Sequence, residues 1–151
     1  MPHTLQEFAA DAARRAAKDL LDAALLLPDD RRGWQPLGKG RSALDQLAEC
    51  AMINGGTVEI IQSHQFPVTD MEAWMQAKTN LAEHWEQCAA LLQSSAAQAA
   101  EAILTVTDDQ LPLEIVMPAQ GGPFSLAQII FYPYWNMTYH QGQITYIGSL
   151  T

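Results

Sequence analysis

Three side chains stand out because their types suit chemistry and their positions interrupt apolar patterns: Glu49, Asn136 and His140. Asn136 and His140 lie at i, i+4, a spacing that stacks two side chains on one face of a helix. That face otherwise reads Leu126, Ile129, Ile130, Met137, Ile144 and Ile147, with Pro133 inside it. Polar groups aimed into such a face cost free energy unless something pairs with them. Glu49 offers a partner. It follows Ala48 and shares a face with Met52, Ile53, Gly56 and Ile60. An ionised carboxylate accepts what an imidazole N–H donates.

Two chemistries fit this trio. In one, Glu49, Asn136 and His140 hold a divalent metal through a carboxylate oxygen, an amide oxygen and an imidazole nitrogen. This mixed, mostly hard donor set suits Zn, Ni, Mn or Fe with water in the remaining positions. In the other, they form a metal-free hydrogen-bonded network around a polar cavity, and the Glu–His pair reads a small-molecule ligand without catalysing anything. The residues leave both open. Tyr139 and Gln143 flank His140 and are candidates for the groups that orient it. His3, His64 and His84 have weaker claims, being terminal, at the end of a helix, and beside an apolar stripe. Cys50 and Cys88 read as small buried hydrophobes rather than a secreted disulfide framework.

The elements that position these groups are helices. The first spans about residues 4–27, with Leu5, Phe8, Ala9, Ala12, Ala16, Leu20, Ala23 and Leu27 recurring at helical spacing behind a Thr4–Glu7 capping box. A long loop over 28–41 packs through Trp34, which plugs one end of the bundle or lines a pocket. The second helix covers about 42–62, with a stripe of Leu44, Leu47, Ala48, Ala51, Gly55 and Val58. Gly55–Gly56 in its middle is locally unfavourable, so a close neighbour, a ligand or a break is expected there. The third helix opens with a Thr69–Glu72 capping box. It carries Met71, Trp74, Ala77, Leu81, Trp85, Cys88 and Leu92 to about Gln93. Ser94–Ser95 end or bend it, before a shorter helix over about 95–106. Residues 107–123 alternate like a short extended segment, closed by a Gly121–Gly122–Pro123 turn. The last helix starts at a Ser125–Gln128 capping box and runs nearly to the end, kinked at Pro133. The predicted fold is all-α: an antiparallel four-helix bundle with a short extended segment before the last helix.

Bulk properties bound the function. The chain has 151 residues, which suits a single domain over 1–151. Seventeen acidic residues against eight basic ones give a formal charge of −9, a surface that repels phosphate backbones and anionic lipid. Nucleic acid and membranes are therefore excluded as expected partners. The longest aliphatic run, Leu20–Leu27, is interrupted by Asp22 and too short to span a bilayer. Without a basic region followed by an apolar run at the start, the cytoplasm is the expected location.

Two stretches make the sequence familiar: Arg41-Ser42-Ala43-Leu44-Asp45-Gln46-Leu47-Ala48-Glu49, and Asn136-Met137-Thr138-Tyr139-His140-Gln141-Gly142-Gln143-Ile144. The second resembles the His-xxx-His-xGlnIle signature on the last helix of the DinB-like family. These are metal-binding bundles that include the YfiT-like hydrolases and thiol transferases. The resemblance covers nearly the whole chain, and the Trp34 loop and the turn near Pro118 sit where that family has them. It implies a metal held by one residue of the second helix and two of the last. In the family these are three histidines; here the positions hold Glu49, Asn136 and His140, so one nitrogen and two oxygens replace three nitrogens. It further implies hydrolysis or thiol transfer on a small molecule, and a homodimer. A bundle used only for ligand binding or dimerisation is the alternative.

Overall fold

The computed structural model describes residues 3–118 and 121–151. Among the described residues, five α-helices and one hairpin make up the fold: α1 (Leu5–Leu25), α2 (Ala43–Ser63), α3 (Met71–Ala82), α4 (Trp85–Leu104), β1 (Glu114–Met117), β2 (Gly122–Ser125) and α5 (Leu126–Ser149). The bundle proper is α1, α2, α4 and α5. Around it each helix touches two neighbours: α1 packs on α4 and α5, and α2 packs on α4 and α5. The successive helices α1 and α2 thus sit on a diagonal, which is why the loop between them must be long.

Contacts fix the directions. Gln6 at the start of α1 bonds to the carbonyl of Val106 just beyond the end of α4, so these two run antiparallel. Gln46 near the start of α2 meets His140 late in α5, again antiparallel. Phe8 lies against Phe131, with ring centroids 5.9 Å apart, and Leu27 meets Gly148, so α1 and α5 run parallel. The bundle therefore mixes two antiparallel and two parallel faces, since the Leu44 carbonyl beside Cys88 makes α2 and α4 parallel. The α3 helix, lying along α2, returns the chain so that this is possible.

Local chemistry explains most boundaries. Thr4 and Ser125 form the expected capping boxes with Glu7 and Gln128. Replacing Ser125 with alanine should lower the unfolding free energy by about 1 kcal/mol, read as a lower urea midpoint at unchanged slope. The first helix ends at Leu25, short of Leu27, and the α3 cap is Asp70 rather than Thr69: its carboxylate accepts from the Ala73 amide at 3.0 Å. The expected single helix to Gln93 is instead divided at Glu83–His84, and α4 continues through Ser94 and Ser95. Both serines are accommodated within the helix, their hydroxyls bonding back to the Leu91 and Leu92 carbonyls. Pro133 lies inside α5, which continues past it. The extended segment is a two-stranded antiparallel hairpin in which Pro123 pairs with Val116, so Gly122 and Pro123 belong to a strand rather than a turn. Residues 119 and 120, before that turn, lie outside the described residues.

The core is built from small residues on α1. Ala9, Ala10, Ala13, Ala16, Ala17 and Ala24 are buried there, a face wide enough to lie against two helices at once. The predicted stripe residues Leu5 and Phe8 are exposed instead. Larger chains fill the space between the helices, among them Leu20, Leu47, Leu92, Ile103, Ile130 and Ile144. On α2 the predicted stripe members Gly55 and Val58 are only partly buried. The fully buried positions include a polar row, Gln46, Cys50, Asn54 and Thr57. No break or close neighbour accounts for Gly55, whose surroundings are open.

Candidate functional site

The polar row on α2 faces α5 and builds the site. Glu49 and His140 meet as expected, with Oε1 of Glu49 3.1 Å from Nε2 of His140. The other ring nitrogen, Nδ1, lies 2.7 Å from Oε1 of Gln46 and 3.1 Å from Oε1 of Gln143. Both amides are oriented by their nitrogens: that of Gln143 donates to the Tyr139 hydroxyl at 3.0 Å, and that of Gln46 faces the Arg41 carbonyl at 3.5 Å. All three neighbours of the buried ring are therefore acceptor oxygens. A hydrogen on Nε2 satisfies the contact with the Glu49 carboxylate, whereas a bare Nε2 would set a lone pair against it.

Asn136 is buried on the same face, but its amide nitrogen donates to the Cys50 thiol at 3.4 Å. The expected third donor is thus turned toward α2's sulfur. Of the flanking pair, Gln143 touches His140 directly. Tyr139 packs its ring edge-on at 5.2 Å and stacks on Trp135 on its other side. The remaining histidines are apart from the site. His64 adopts the left-handed conformation that closes α2, His84 precedes α4, and His3 lies near Glu7 on the surface.

Four groups with direct roles were not among the expected site residues: Arg41, Asp45, Gln46 and Lys78. Arg41 reaches two acids of α2, with Nε 2.5 Å from Asp45 and Nη2 2.6 Å from Glu49. Lys78 of α3 is buried, and its ammonium lies 2.8 Å from Asp45 and 3.9 Å from Glu49. Asp45 and Glu49 sit one turn apart on α2, so one guanidinium and one ammonium bracket both. Burial pushes the Glu49 carboxyl upward, but the hydrogen bonds from His140 and Arg41 outweigh it and hold it down at about 2. Asp45 is likewise held low: burial opposes ionisation, and the bonds from Lys78 and Arg41 overcome it. The thiols behave oppositely. Burial, then the charge of Glu49, raise Cys50 well above the ordinary range, and burial lifts Cys88 to about 12. Both sulfurs stay protonated, as small buried hydrophobes do.

The donor set bears directly on a metal. A three-ligand centre needs side chains whose lone pairs converge on one point. Here one oxygen of Glu49 is taken by Arg41, Lys78 adds a second positive charge beside it, and the amide nitrogen of Asn136 points to sulfur. Among the described residues, no three His, Cys, Asp or Glu side chains group as a metal site would group them. Two cations already stand where a divalent ion would bring a third, so these residues do not fit a resident metal.

No protein-family model matches this chain, and no curated protein matches its sequence. A solved structure does: YfiT from Bacillus subtilis, described as a probable metal-dependent hydrolase with an unusual four-helix bundle topology. The two superpose with a TM-score of 0.80 over 96% of this chain and 86% of that one, at 15% identity. Among the described residues no helix is long and apolar enough to cross a membrane. The chain has the YfiT-type four-helix bundle fold.

Proposed function

We propose that this chain is a small-molecule-binding bundle of the DinB-like type in which an ion-pair cluster occupies the place of a metal. The observation that carries this is the environment of Glu49, with one oxygen on the Arg41 guanidinium, the other on the His140 ring, and the buried Lys78 ammonium beside it. Such a cluster presents hydrogen-bond donors and a compensated carboxylate at the end of the groove between α2 and α5. It can orient a polar group of a ligand without Lewis-acid chemistry. An open pocket adjoins it, lined by Arg41, Gln46, Tyr139, Gln143 and Tyr146.

A second reading is metal-dependent hydrolysis of a small molecule. It is favoured by the description of YfiT as a probable metal-dependent hydrolase and by the 3.1 Å between Glu49 and His140. Two donors each about 2.1 Å from one zinc stand roughly this far apart, so either could rotate onto an ion if Arg41 released its oxygen.

Purified protein, analysed for metal and melted with Zn, Ni or Mn and then with chelator, separates the two. The ion-pair reading expects substoichiometric metal and a midpoint that none of these additions moves. Stoichiometric metal, or several degrees of stabilisation that chelator reverses, would overturn it in favour of the second.

A further inference from the structure

A second, apolar cavity of about 160 Å³ opens between α2, α3 and α5, and its wall residues Ile53 and Trp74 lie one helical turn from Glu49 and Lys78. Its position follows from register. Along α2 the residues pass from Gly56 through Ile53 to Glu49 and Asp45 at helical spacing. On α3, Trp74 precedes Lys78 by one turn, and on α5, Tyr132 leads through Asn136 to His140. The polar ends of these three rows meet one another through the bonds of Glu49 and Asp45. Their apolar ends line the cavity. Three helices therefore carry the same gradient in step, from hydrocarbon to charge.

The walls make few polar demands. Thr57 returns its hydroxyl to the Ile53 carbonyl at 3.0 Å, which satisfies it within its own helix. Burial, then the charge of Glu49, push the Tyr132 phenol upward, so it stays neutral. Gly56 is the informative wall. Glycine is less favourable than alanine inside a helix, and a Cβ added here would stand 3.8 Å from Pro67, an ordinary contact. A single Cβ thus fits at Gly56, and the space beyond it is left open. Apolar volume of this size, close to the roughly 150 Å³ that accepts benzene elsewhere, has room for a small apolar ligand.

We propose that this cavity is the apolar half of the ligand site, taking an aromatic ring or a short branched hydrocarbon group. The inference rests on the binding reading above and names the substrate class: a small amphiphile whose polar part meets the Glu49–His140 end. Three methionines on the wall, Met52, Met71 and Met117, can repack around rings of somewhat different shape.

Indole is the probe, because it fits the volume and carries no charged group for the ion-pair end. Titrated into the full chain with methyl-labelled methionine, it should saturate and shift the Met52, Met71 and Met117 resonances while leaving Met75 and Met137 in place. Gly56→Leu fills the cavity from its wall and should weaken binding about tenfold or more, with a melting midpoint kept or raised. Gly55→Ala, at a position with open surroundings that does not line the cavity, should bind as the wild type does. No saturable indole binding, or shifts spread over all methionines, would overturn the proposal, as would unchanged affinity in Gly56→Leu. Should Gly56→Leu fail to fold, the methyl map on the wild type decides alone. Failure here leaves the ion-pair cluster standing, and metal uptake would remove that cluster while leaving the cavity.

Discussion

Replacing Lys78 with methionine is expected to lower the unfolding free energy by about 2–3 kcal/mol, although it keeps the aliphatic stem and alters only the tip. The side chain of Lys78 is 7% exposed and its ammonium sits 2.8 Å from Asp45. Removing it strands a carboxylate that is three-quarters buried, with Arg41 left to serve Asp45 and Glu49 alone. Truncating one partner of a fully buried pair costs more than this; the partial exposure of Asp45 brings the figure down. The double variant with Asp45→Asn should recover about 1 kcal/mol or more, because the charge that needed a partner is then gone. Lys18 supplies the contrast. It pairs with Asp22 on the surface, and Lys18→Met should leave the urea midpoint where it was. If Lys78→Met unfolds at the wild-type midpoint, the four charges do not act as a unit and the case for a cluster in place of a metal fails.

Lys78 also shows where sequence reasoning stops. The periodicity over 71–93 places Ala77 on the buried stripe, yet Ala77 is exposed and Lys78 is buried. A continuous helix and two helices divided at His84 share the same local spacing. No Gly or Pro marks the break, and only the need to turn the chain back along α2 requires it. What was legible rested on strong local signals: the Thr4 and Ser125 caps, and the α5 face from Leu126 to Ile147. The pairing of Glu49 with His140 followed because two polar residues on apolar faces need each other. Gln46 and Arg41 were within a stretch already singled out, but their roles depend on which side of α2 meets α5. That rotation is set by the polar row through Cys50 and Asn54, which reads as an ordinary break in amphipathicity until the partner helix is known. Asn136 shows the same limit in reverse. It is buried on the α5 face, but its amide turns to Cys50, a residue whose thiol looks like mere packing in the sequence.

Acid should reveal the cluster directly. Glu49 is held down at about 2 against an ordinary value of 4.5, so its pairing contributes stability that is complete above pH 4.5 and is lost as the pH falls through about 2. Allowing for solvent screening of this partly exposed group, that contribution is about 1–2 kcal/mol. Glu49→Gln keeps the shape and cannot ionise, so it lacks the contribution at neutral pH and has none to lose in acid. Urea unfolding of the two proteins from neutral pH down to about 2 should therefore show a gap that closes below pH 4.5, with the wild type descending onto the variant. Carboxylates away from the cluster titrate in both proteins and cancel in the difference. Chelator enters as a second axis. A carboxylate held by Arg41 and His140 gives the same gap with or without it, whereas one held by a metal gives a gap that chelator abolishes. Parallel curves would mean that Glu49 gains nothing from its neighbours, and the hydrogen bonds that define this site would then carry no energy.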